Sequence, residues 1–265
     1  MRSSWRSPMT GTDQNVVNEE ITKMTKRLRL PHLRRSFVDI AMTAKAQRWD
    51  PIELIRVLLV SEIEGRDAAT LGLRRSAANL PGSRTLAGFD YQLSSIPARA
   101  INALSTMEWV RRRENLVLCG PPGTGKSFLA EALASEAIEA GMRVAWYNSE
   151  TLTQMITVAK LAGELSQSIT KLTRLDLVVI DDLGILPIGL IGSEAIYRVI
   201  EAAYEKTSVI VTSNFSLSVF DQIIEPASLA TALVDRLAHH AHSIETAGES
   251  IRLTQALSGK GVVPL

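Results

Sequence analysis

The sequence predicts an α/β fold, in which helices flank a central parallel sheet and a small all-helical region precedes it. Three observations support this prediction. From residue 115 onward, short runs of apolar and β-branched residues alternate with helical stretches, which is typical of buried parallel strands. A glycine-rich segment, GPPGTGKS, directly follows the first of these runs. Residues 19–79, by contrast, show helical periodicity.

The N-terminal part of the chain is predicted to contain a tail, a helical domain and a linker. Residues 1–17 are polar and lack periodicity, so we expect a mobile tail there. Residues 18–79 form the predicted helical domain, which Pro31 and Pro51 divide into separate helices. Residues 80–95 begin LPGSRTLAGFDY and contain the turn residues of a linker.

The second domain is predicted to span residues 96–257, followed by a tail at 258–265. A helix from about Ile96 to Arg113 leads into it. The four predicted strands are NLVLC (115–119), RVAWY (143–147), LDLVVI (175–180) and SVIVTS (208–213).

Composition limits the class of protein. The chain has 265 residues, is 46% hydrophobic, and contains no apolar run long enough to span a bilayer. Its single cysteine, Cys119, excludes an internal disulfide. These features predict a cytoplasmic protein without a membrane partner.

The charge is unevenly distributed along the chain. Residues 1–118 hold 19 Lys+Arg and 12 Asp+Glu, a net charge of +7, whereas residues 119–265 hold 10 and 16, a net charge of −6. A basic N-terminal part is typical of a protein that meets a polyanion. A solvated helical surface beside a domain interface would give the same pattern, so both interpretations stay open.

The segment GPPGTGKS has the spacing and the context of a phosphate-binding loop between a strand and a helix. Glycines at 120, 123 and 125 let backbone N–H groups converge on one phosphate. Lys126 is expected to reach the β- and γ-phosphates of ATP, and the Ser127 hydroxyl to bind Mg²⁺. The predicted nucleotide-binding residues are Gly120, Pro121, Pro122, Gly123, Thr124, Gly125, Lys126, Ser127 and Phe128.

Two further strand ends carry polar residues suited to hydrolysis. The run LVVI ends at Asp181, which we expect to bind Mg²⁺ beside the phosphate loop. Asp182 follows, and it is predicted either to polarise the attacking water or to cap a helix. Asn214 ends the strand SVIVTS and is predicted either to orient that water or to form a turn.

Three of the four histidines lie in the segment VDRLAHHAHSI (234–244). On a continuous helix, Asp235, His239 and His242 would share one face, which raises the hypothesis of a metal site. The alternative is that Arg236 is the functional residue and that the histidines pack or cap.

Taken together, these residues resemble an AAA+ ATPase. The stretches RLRLPHL, LPGSRTLAGFDY, RRENLVLCGPPGTGKS, VVIDDLG, VIVTSN and ALVDRLAHHAHSIETAGESIRL are similar to IstB-type ATPases, the transposition helper proteins of bacterial insertion sequences and relatives of the helicase loader DnaC. The resemblance implies an AAA+ fold with a reduced or absent C-terminal lid. It also implies that Arg236 is an arginine finger, which reaches the γ-phosphate of a neighbouring subunit. Family members more commonly have glutamate at the position of Asp182, which implies slower turnover here.

The resemblance implies an ATP-hydrolysing protein that forms a ring- or spiral-like homo-oligomer on duplex DNA and assists a transposase. Its ATPase motifs do not separate this function from that of a DnaC-type helicase loader. A small-molecule kinase is disfavoured, because the pair VIDDLG and VIVTSN indicates water activation. The resemblance also implies an extra helical segment at 149–174 that contacts DNA, but its three basic residues would suit a solvated helix face equally well. The DNA-binding candidates are Lys23, Lys26, Arg27, Arg29, Arg34, Arg35, Lys160, Lys171 and Arg174.

Overall fold

The structure is a computed structural model, and it describes residues 11–184 and 188–251. Two units can be distinguished, one ending at Gly72 and the other beginning at Leu73. Among the described residues, no helix combines the length and the apolar character needed to cross a membrane.

The N-terminal unit is helical, in agreement with the periodicity of its sequence. Its helices are α1 (Gly11–Arg27), α2 (Pro31–Gln47) and the larger part of α3 (Pro51–Ala78). Pro31 and Pro51 are the first residues of α2 and α3, where the missing N–H would have no intrahelical partner. The unit boundary after Gly72 lies within α3, earlier than the predicted boundary after residue 79.

The helix α1 begins inside the segment that the sequence predicts as a tail. Residues 11–17 are helical, and residues 1–10 lie outside the described part of the chain. The helical start was missed because an exposed helix needs no apolar periodicity, and Val16 is indeed 56% exposed.

A buried carboxylate fixes the start of α2. Glu62 Oε2 accepts hydrogen bonds from the backbone N–H groups of His32 and Leu33 at 2.9 and 2.8 Å. The Arg66 guanidinium pairs with Glu62 Oε1 at 2.7 Å. Burial opposes the charged form of Glu62, but the bonds from Leu33, Arg66 and His32 together hold its pKa below the ordinary value. The turn between α1 and α2 is therefore fixed by α3.

The second unit contains a five-stranded parallel sheet in which the strands, counted along the chain, lie in the order second, third, fourth, first and fifth. The central strands are buried along nearly their whole length. All four predicted strands are confirmed, with boundaries that shift by at most a few residues. The strands are β1 (Asn115–Cys119), β2 (Val144–Asn148), β3 (Leu177–Leu183), β4 (Ser208–Ser213) and β5 (Ala241–Glu245).

Helices connect the strands and cover the sheet. The predicted helix from Ile96 to Arg113 is broken at Met107, which has a left-handed backbone with φ 58°. The predicted extra helical segment at 149–174 is confirmed as two helices, α7 and α8. The helices of this unit are α4 (Ala98–Ser105), α5 (Glu108–Arg111), α6 (Lys126–Glu139), α7 (Ser149–Leu161), α8 (Leu165–Leu172), α9 (Leu190–Ala203) and α10 (Ala227–Ala238).

The histidine segment does not continue as a helix, so the predicted shared face of Asp235, His239 and His242 is wrong. Helix α10 ends at Ala238, and His242 lies on β5, opposite Leu116 of β1. The strand was missed because it lies at the edge of the sheet and its side chains are exposed or half-buried, which removes the apolar run of a central strand. The prediction of a reduced lid concerns residues 252–265, which lie outside the described residues.

Candidate functional site

The phosphate loop connects β1 to α6, as its sequence predicts. Gly120, Gly123 and Gly125 have φ values of 132°, 81° and 92°, a region that residues with side chains rarely adopt. A Cβ atom on Gly120 would lie 2.2 Å from the carbonyl oxygen of Thr246, and one on Gly123 would lie 2.1 Å from the Ser250 hydroxyl oxygen. The glycines therefore permit both the curl of the loop and the close approach of the C-terminal segment.

Lys126 is buried at the base of this loop. Its ammonium group donates to the carbonyl oxygens of Gly120 and Pro121, each at 2.7 Å, and to Asn214 Oδ1 at 3.0 Å. The structure therefore brings together two residues that the sequence assigned separately, one from the loop and one from the end of β4. A cation held among backbone carbonyls and an amide oxygen is suited to meet a phosphate.

The two aspartates at the end of β3 occupy different environments. Asp181 is buried, and its Oδ1 accepts a hydrogen bond from the Thr212 hydroxyl. Asp182 is exposed, has φ 59°, and donates its backbone N–H to the same hydroxyl oxygen at 2.9 Å. Between the pairs Ile180–Val211 and Leu183–Ser213, β3 advances three residues and β4 two, which is a β-bulge. Thr212 thus joins both acidic residues to β4.

A cavity of about 360 Å³ opens beside the loop, within the usual size range of small-molecule sites. Polar groups of the phosphate loop, Asp182 and Asn214 line part of it, and aromatic and aliphatic side chains line the rest. The lining residues are Arg84, Gly88, Phe89, Asp90, Pro122, Gly123, Gly125, Lys126, Ser127, Phe128, Asp182, Asn214 and Ile251.

Part of the cavity wall comes from the segment predicted as a linker. Phe89 packs edge-to-face on Phe128, with ring centroids 5.6 Å apart. The Arg84 guanidinium lies 5.3 Å from the centroid of the Phe128 ring. Glu131, buried in α6, accepts the Arg84 backbone N–H at 3.0 Å and lies 3.5 Å from its Nε. This segment is therefore held against α6, and it gives the cavity one aromatic and one cationic side chain.

The segment after β5 closes another side of the loop. The Thr246 hydroxyl is 2.6 Å from the Thr124 hydroxyl and donates to the Cys119 carbonyl at 3.0 Å. The Ile251 N–H donates to the Gly123 carbonyl at 3.0 Å. Thr124, which was predicted to bind nucleotide, is buried against this segment, and its hydroxyl also donates to Pro121.

The remaining predicted nucleotide residues lie at or near the cavity. Pro122, Gly123, Gly125, Lys126, Ser127 and Phe128 line it directly. Gly120 and Pro121 contribute through the carbonyls that hold Lys126. Asp181 lies behind the surface, at the end of the same strand that delivers Asp182.

Arg236 lies on α10 and is not one of the residues that line the cavity in its own chain. Its Nη2 pairs with Glu201 Oε1 at 3.5 Å, and its guanidinium lies 5.2 Å from the centroid of the Tyr197 ring. Both partners belong to α9. The position agrees with a residue that acts outside its own nucleotide site.

The histidines are separated in a way that the sequence did not predict. His242 Nε2 lies 2.7 Å from Glu114 Oε2. Potential ligand atoms of Glu205, His239 and His240 lie within 4.8 Å of one another, but all three side chains are exposed. His239 Nδ1 is hydrogen-bonded to the Tyr204 hydroxyl at 2.9 Å. The metal hypothesis based on Asp235, His239 and His242 is therefore contradicted by their placement.

The basic DNA-binding candidates form two groups. Lys26 and Arg27 lie in the last turn of α1, Arg29 lies in the following turn, and Arg34 and Arg35 lie in the first turns of α2. Lys23 lies one helical turn earlier on α1. All are exposed except Arg34, which is half-buried. In the second group, Lys160 on α7 is paired with Glu194 at 3.7 Å, while Lys171 on α8 and Arg174 just after it are exposed.

The sequence did not single out Thr212, Arg84, Phe89 or Ile251. A signal for Thr212 was present, because strand periodicity places residues 212 and 214 on the same face of β4. The other three reach the cavity through contacts between distant segments, and no local pattern indicates those contacts.

The donor set of the cavity fits ATP and Mg²⁺. The phosphate loop offers curled backbone and a buried ammonium, which suit phosphate groups. The Ser127 hydroxyl and the Asp182 carboxylate in the lining, and the Asp181 carboxylate behind it, are hard oxygen ligands of the kind that Mg²⁺ prefers. The aromatic side chains of the lining, Phe89 and Phe128, suit a flat base.

Comparisons with known proteins identify a family of ATP-binding proteins. A family model described as IstB-like ATP binding protein matches residues 23–259. An ATP-binding protein of insertion sequence IS21 from Pseudomonas aeruginosa is 31% identical over 237 residues, which is 89% of each chain. An ATP-binding protein of insertion sequence IS5376 from Geobacillus stearothermophilus is 30% identical over 240 residues, 90% of this chain and 96% of that protein.

Solved structures show the same fold at low sequence identity. AMPPCP-bound DnaA from Aquifex aeolicus gives a TM-score of 0.53 with 19% identity, covering 68% of this chain and 56% of that one. DnaI gives a TM-score of 0.53 with 16% identity, covering 65% of this chain and 94% of that one. The predicted AAA+ fold is confirmed, and the chain belongs to the family of IstB-like ATP-binding proteins.

Proposed function

We propose that this protein hydrolyses ATP in the cavity beside the phosphate loop, assembles as a homo-oligomer on duplex DNA, and assists a transposase. The observation that carries the proposal is the convergence of Lys126, Asn214 and Asp182 in the lining of one cavity. A cation, an amide and a carboxylate therefore lie within one small volume. It suits hydrolysis, which needs a phosphate site and a group that activates water.

Each residue has a distinct role in the proposed reaction. The phosphate loop and Lys126 bind the β- and γ-phosphates, for which the ammonium exchanges part of its contact with the loop carbonyls. Asp182 accepts a proton from the attacking water, and Asn214 orients that water. The exposed carboxylate of Asp182 suits a base better than a helix cap, since the residue stands in a β-bulge rather than at a helix start.

Ser127 and Asp181 are the proposed magnesium ligands. When bound, Mg²⁺ neutralises charge on the phosphate oxygens. Thr212 holds the Asp181 carboxylate in a fixed orientation, a role that outer hydrogen-bond partners play at many metal sites.

Arg236 acts in the cavity of a second copy of the chain. Its guanidinium presents several N–H donors to charge that spreads over phosphate oxygens. Its placement outside the cavity of its own chain supports a role in trans. Hydrolysis would then require contact between subunits, which couples turnover to assembly into a ring or spiral.

The basic cluster around the α1–α2 turn is the proposed DNA contact. Lys26, Arg27, Arg29, Arg34 and Arg35 are concentrated around one turn, and the Glu62 carboxylate fixes the start of α2. Contacts of this kind bind the phosphate backbone without reading sequence. The helices α7 and α8 offer a weaker basic surface, because Lys160 is already paired.

The transposase is the proposed partner because the relatives matched over nearly the whole chain are proteins of insertion sequences. A helicase loader of the DnaC type is the alternative. A transposase gene adjacent to the gene for this protein would favour the first function.

Mixing two inactive variants tests the proposed reaction. Lys126→Ala is expected to lose ATP binding in its own cavity but to keep Arg236. Arg236→Ala is expected to bind ATP and to lose hydrolysis by about 10³-fold or more. A mixture should recover activity, because a subunit with Lys126 can meet one with Arg236. No recovery at any ratio would contradict the role in trans.

A further inference from the structure

Arg236 is held by two side chains one helical turn apart on α9. Tyr197 and Glu201 stand at positions i and i+4, and the Tyr197 hydroxyl donates to Glu201 Oε1 at 3.1 Å. The same carboxylate oxygen lies 3.5 Å from Arg236 Nη2, and the Tyr197 ring lies under the guanidinium at 5.2 Å. A ring face and a carboxylate therefore contact one guanidinium from the same helix.

These contacts restrict a side chain that would otherwise sample many rotamers. Arg236 Nη1 also donates to the Ala232 carbonyl of its own helix at 3.2 Å. The ring contact and the two hydrogen bonds restrict the orientation of the guanidinium, which carries five N–H donors and can also donate to a further acceptor. The Arg236 side chain is 31% exposed, so a second molecule can reach it.

The arrangement is a poor stabiliser of the fold by itself. The Glu201 carboxylate is 50% exposed, and an ion pair of such exposure contributes little to folding. Tyr197 is half-buried and packs partly against the core, but its hydroxyl points to the exposed carboxylate. The geometry is better explained by orientation of Arg236 than by stability.

We infer that Tyr197 and Glu201 are positioning residues, which hold Arg236 in the orientation needed at the phosphate site of a second copy of this chain. This inference rests on the proposed hydrolysis in trans. Misplacement of a reacting group by about 1 Å can cost roughly 10²-fold in rate. Loss of either contact should therefore lower kcat by about 10- to 100-fold and leave the KM for ATP nearly unchanged.

The experiment uses the full chain with duplex DNA and ATP, and compares Glu201→Gln and Tyr197→Leu. Each variant is mixed with Lys126→Ala and, separately, with Arg236→Ala. A subunit with a misplaced Arg236 still has an intact cavity. Its mixture with Lys126→Ala should therefore hydrolyse ATP faster than the sum of the rates of the two components measured separately. It should not rise in the mixture with Arg236→Ala, since neither subunit supplies a well-placed arginine.

Two further variants serve as controls. Tyr197→Phe keeps the ring under the guanidinium and should retain most of the activity. Glu194→Gln lies on the same helix and removes a comparable surface pair, with Lys160 at 3.7 Å, so it should hydrolyse ATP at the wild-type rate when DNA is saturating. Titration with a fluorescent ATP analogue should give all four variants the wild-type affinity.

The outcomes separate this inference from the proposed function. Recovery with Arg236→Ala instead of Lys126→Ala would place Tyr197 and Glu201 at their own cavity and overturn the inference. A lowered Tm with no recovery in either mixture would show a merely structural role and overturn it as well. Faster hydrolysis by Glu201→Gln would make the carboxylate a competitor for Arg236, again against the inference. If the reference mixture of Lys126→Ala and Arg236→Ala is inactive, the role in trans fails together with the inference.

Discussion

Replacing Thr212 by valine removes one hydroxyl that serves both acidic residues of β3. The change keeps the shape of the side chain, which is fully buried. Asp181 loses a donor, and a hydrogen bond to a charged group contributes about 1.5–3 kcal/mol. The Asp182 N–H loses its acceptor, which costs about 1–3 kcal/mol where water cannot replace it. Because one hydroxyl serves both groups, we expect about 2–4 kcal/mol in total.

Two assays measure this effect. Urea unfolding followed by the buried indoles of Trp109 and Trp146 should show the lower stability of the second unit. With an m-value of about 3 kcal/mol/M, a loss of 3 kcal/mol moves the midpoint by about 1 M. Magnesium titration of ATP analogue binding should require about 10-fold more Mg²⁺, as expected when an outer partner of a metal ligand is removed.

Thr212→Ser is the matched control, because it keeps the hydroxyl and removes only a methyl group. It should retain the wild-type Mg²⁺ requirement. If Thr212→Val shows the same midpoint and the same Mg²⁺ requirement as wild type, the hydroxyl does not organise the two aspartates, and the assignment of Asp181 to the magnesium site loses its structural support.

Four other changes have definite expected results. Lys126→Ala should abolish binding of an ATP analogue in a titration, since the phosphates lose the buried ammonium. The control Lys206→Ala, which changes an exposed lysine, should bind the analogue normally. Equal affinities of Lys126→Ala and wild type would refute the loop assignment. Asp182→Asn should bind ATP and hydrolyse it roughly 10²-fold more slowly, because asparagine tolerates φ 59° but cannot act as a base. Asp182→Glu should hydrolyse ATP faster than wild type if the length of the side chain limits turnover. A wild-type rate for Asp182→Asn would show that the residue is structural. Replacing Arg34 and Arg35 by glutamate should weaken duplex binding and make it less dependent on salt. Each lost phosphate contact should lower the slope of log K against log salt concentration by about 0.9, while the control Lys45→Glu, at the far end of α2, should change little. Identical slopes for the double variant and wild type would show that the DNA contact lies elsewhere. Glu62→Gln should destabilise the N-terminal unit at neutral pH, because the variant loses the stabilisation that the charged carboxylate provides. The folded pKa of Glu62 is depressed, so this stabilisation is present above the unfolded pKa near 4.3 and disappears as pH falls through the folded pKa. The melting curves of variant and wild type should therefore converge in acid, and a difference that stays constant with pH would contradict the hydrogen bonds to Glu62.

The part of the site that the sequence predicts well is the part made by contiguous residues. The phosphate loop, Asp181 with Asp182, and Asn214 each stand at the end of a buried strand, and parallel topology brings such ends to one edge. Strand periodicity and glycine spacing are local properties, so they could be read before the structure was known.

The rest depends on contacts between segments far apart in the chain. Residue 120 must be glycine because Thr246 lies too close to leave room for a side chain. The edge strand β5, which brings Thr246 there, has no apolar run. The segment 80–95 looks like a linker by composition, but Glu131 and Phe128 of α6 hold Arg84 and Phe89 against the cavity. The predicted placement of the histidines is wrong for another reason: a helical period continued past Ala238, where α10 ends, puts them on one face of a helix that does not exist there.

We propose that ATP hydrolysis occurs between copies of this chain assembled on DNA. The most direct measurement is the rate of phosphate release by the wild-type protein with and without duplex DNA, with the mass of the assembly determined in the same ATP-containing samples. We expect a slow rate for the monomer, and a higher rate that appears together with a larger, ATP-dependent assembly when duplex DNA is added. A full rate from a monomer, unchanged by DNA, would contradict this proposal.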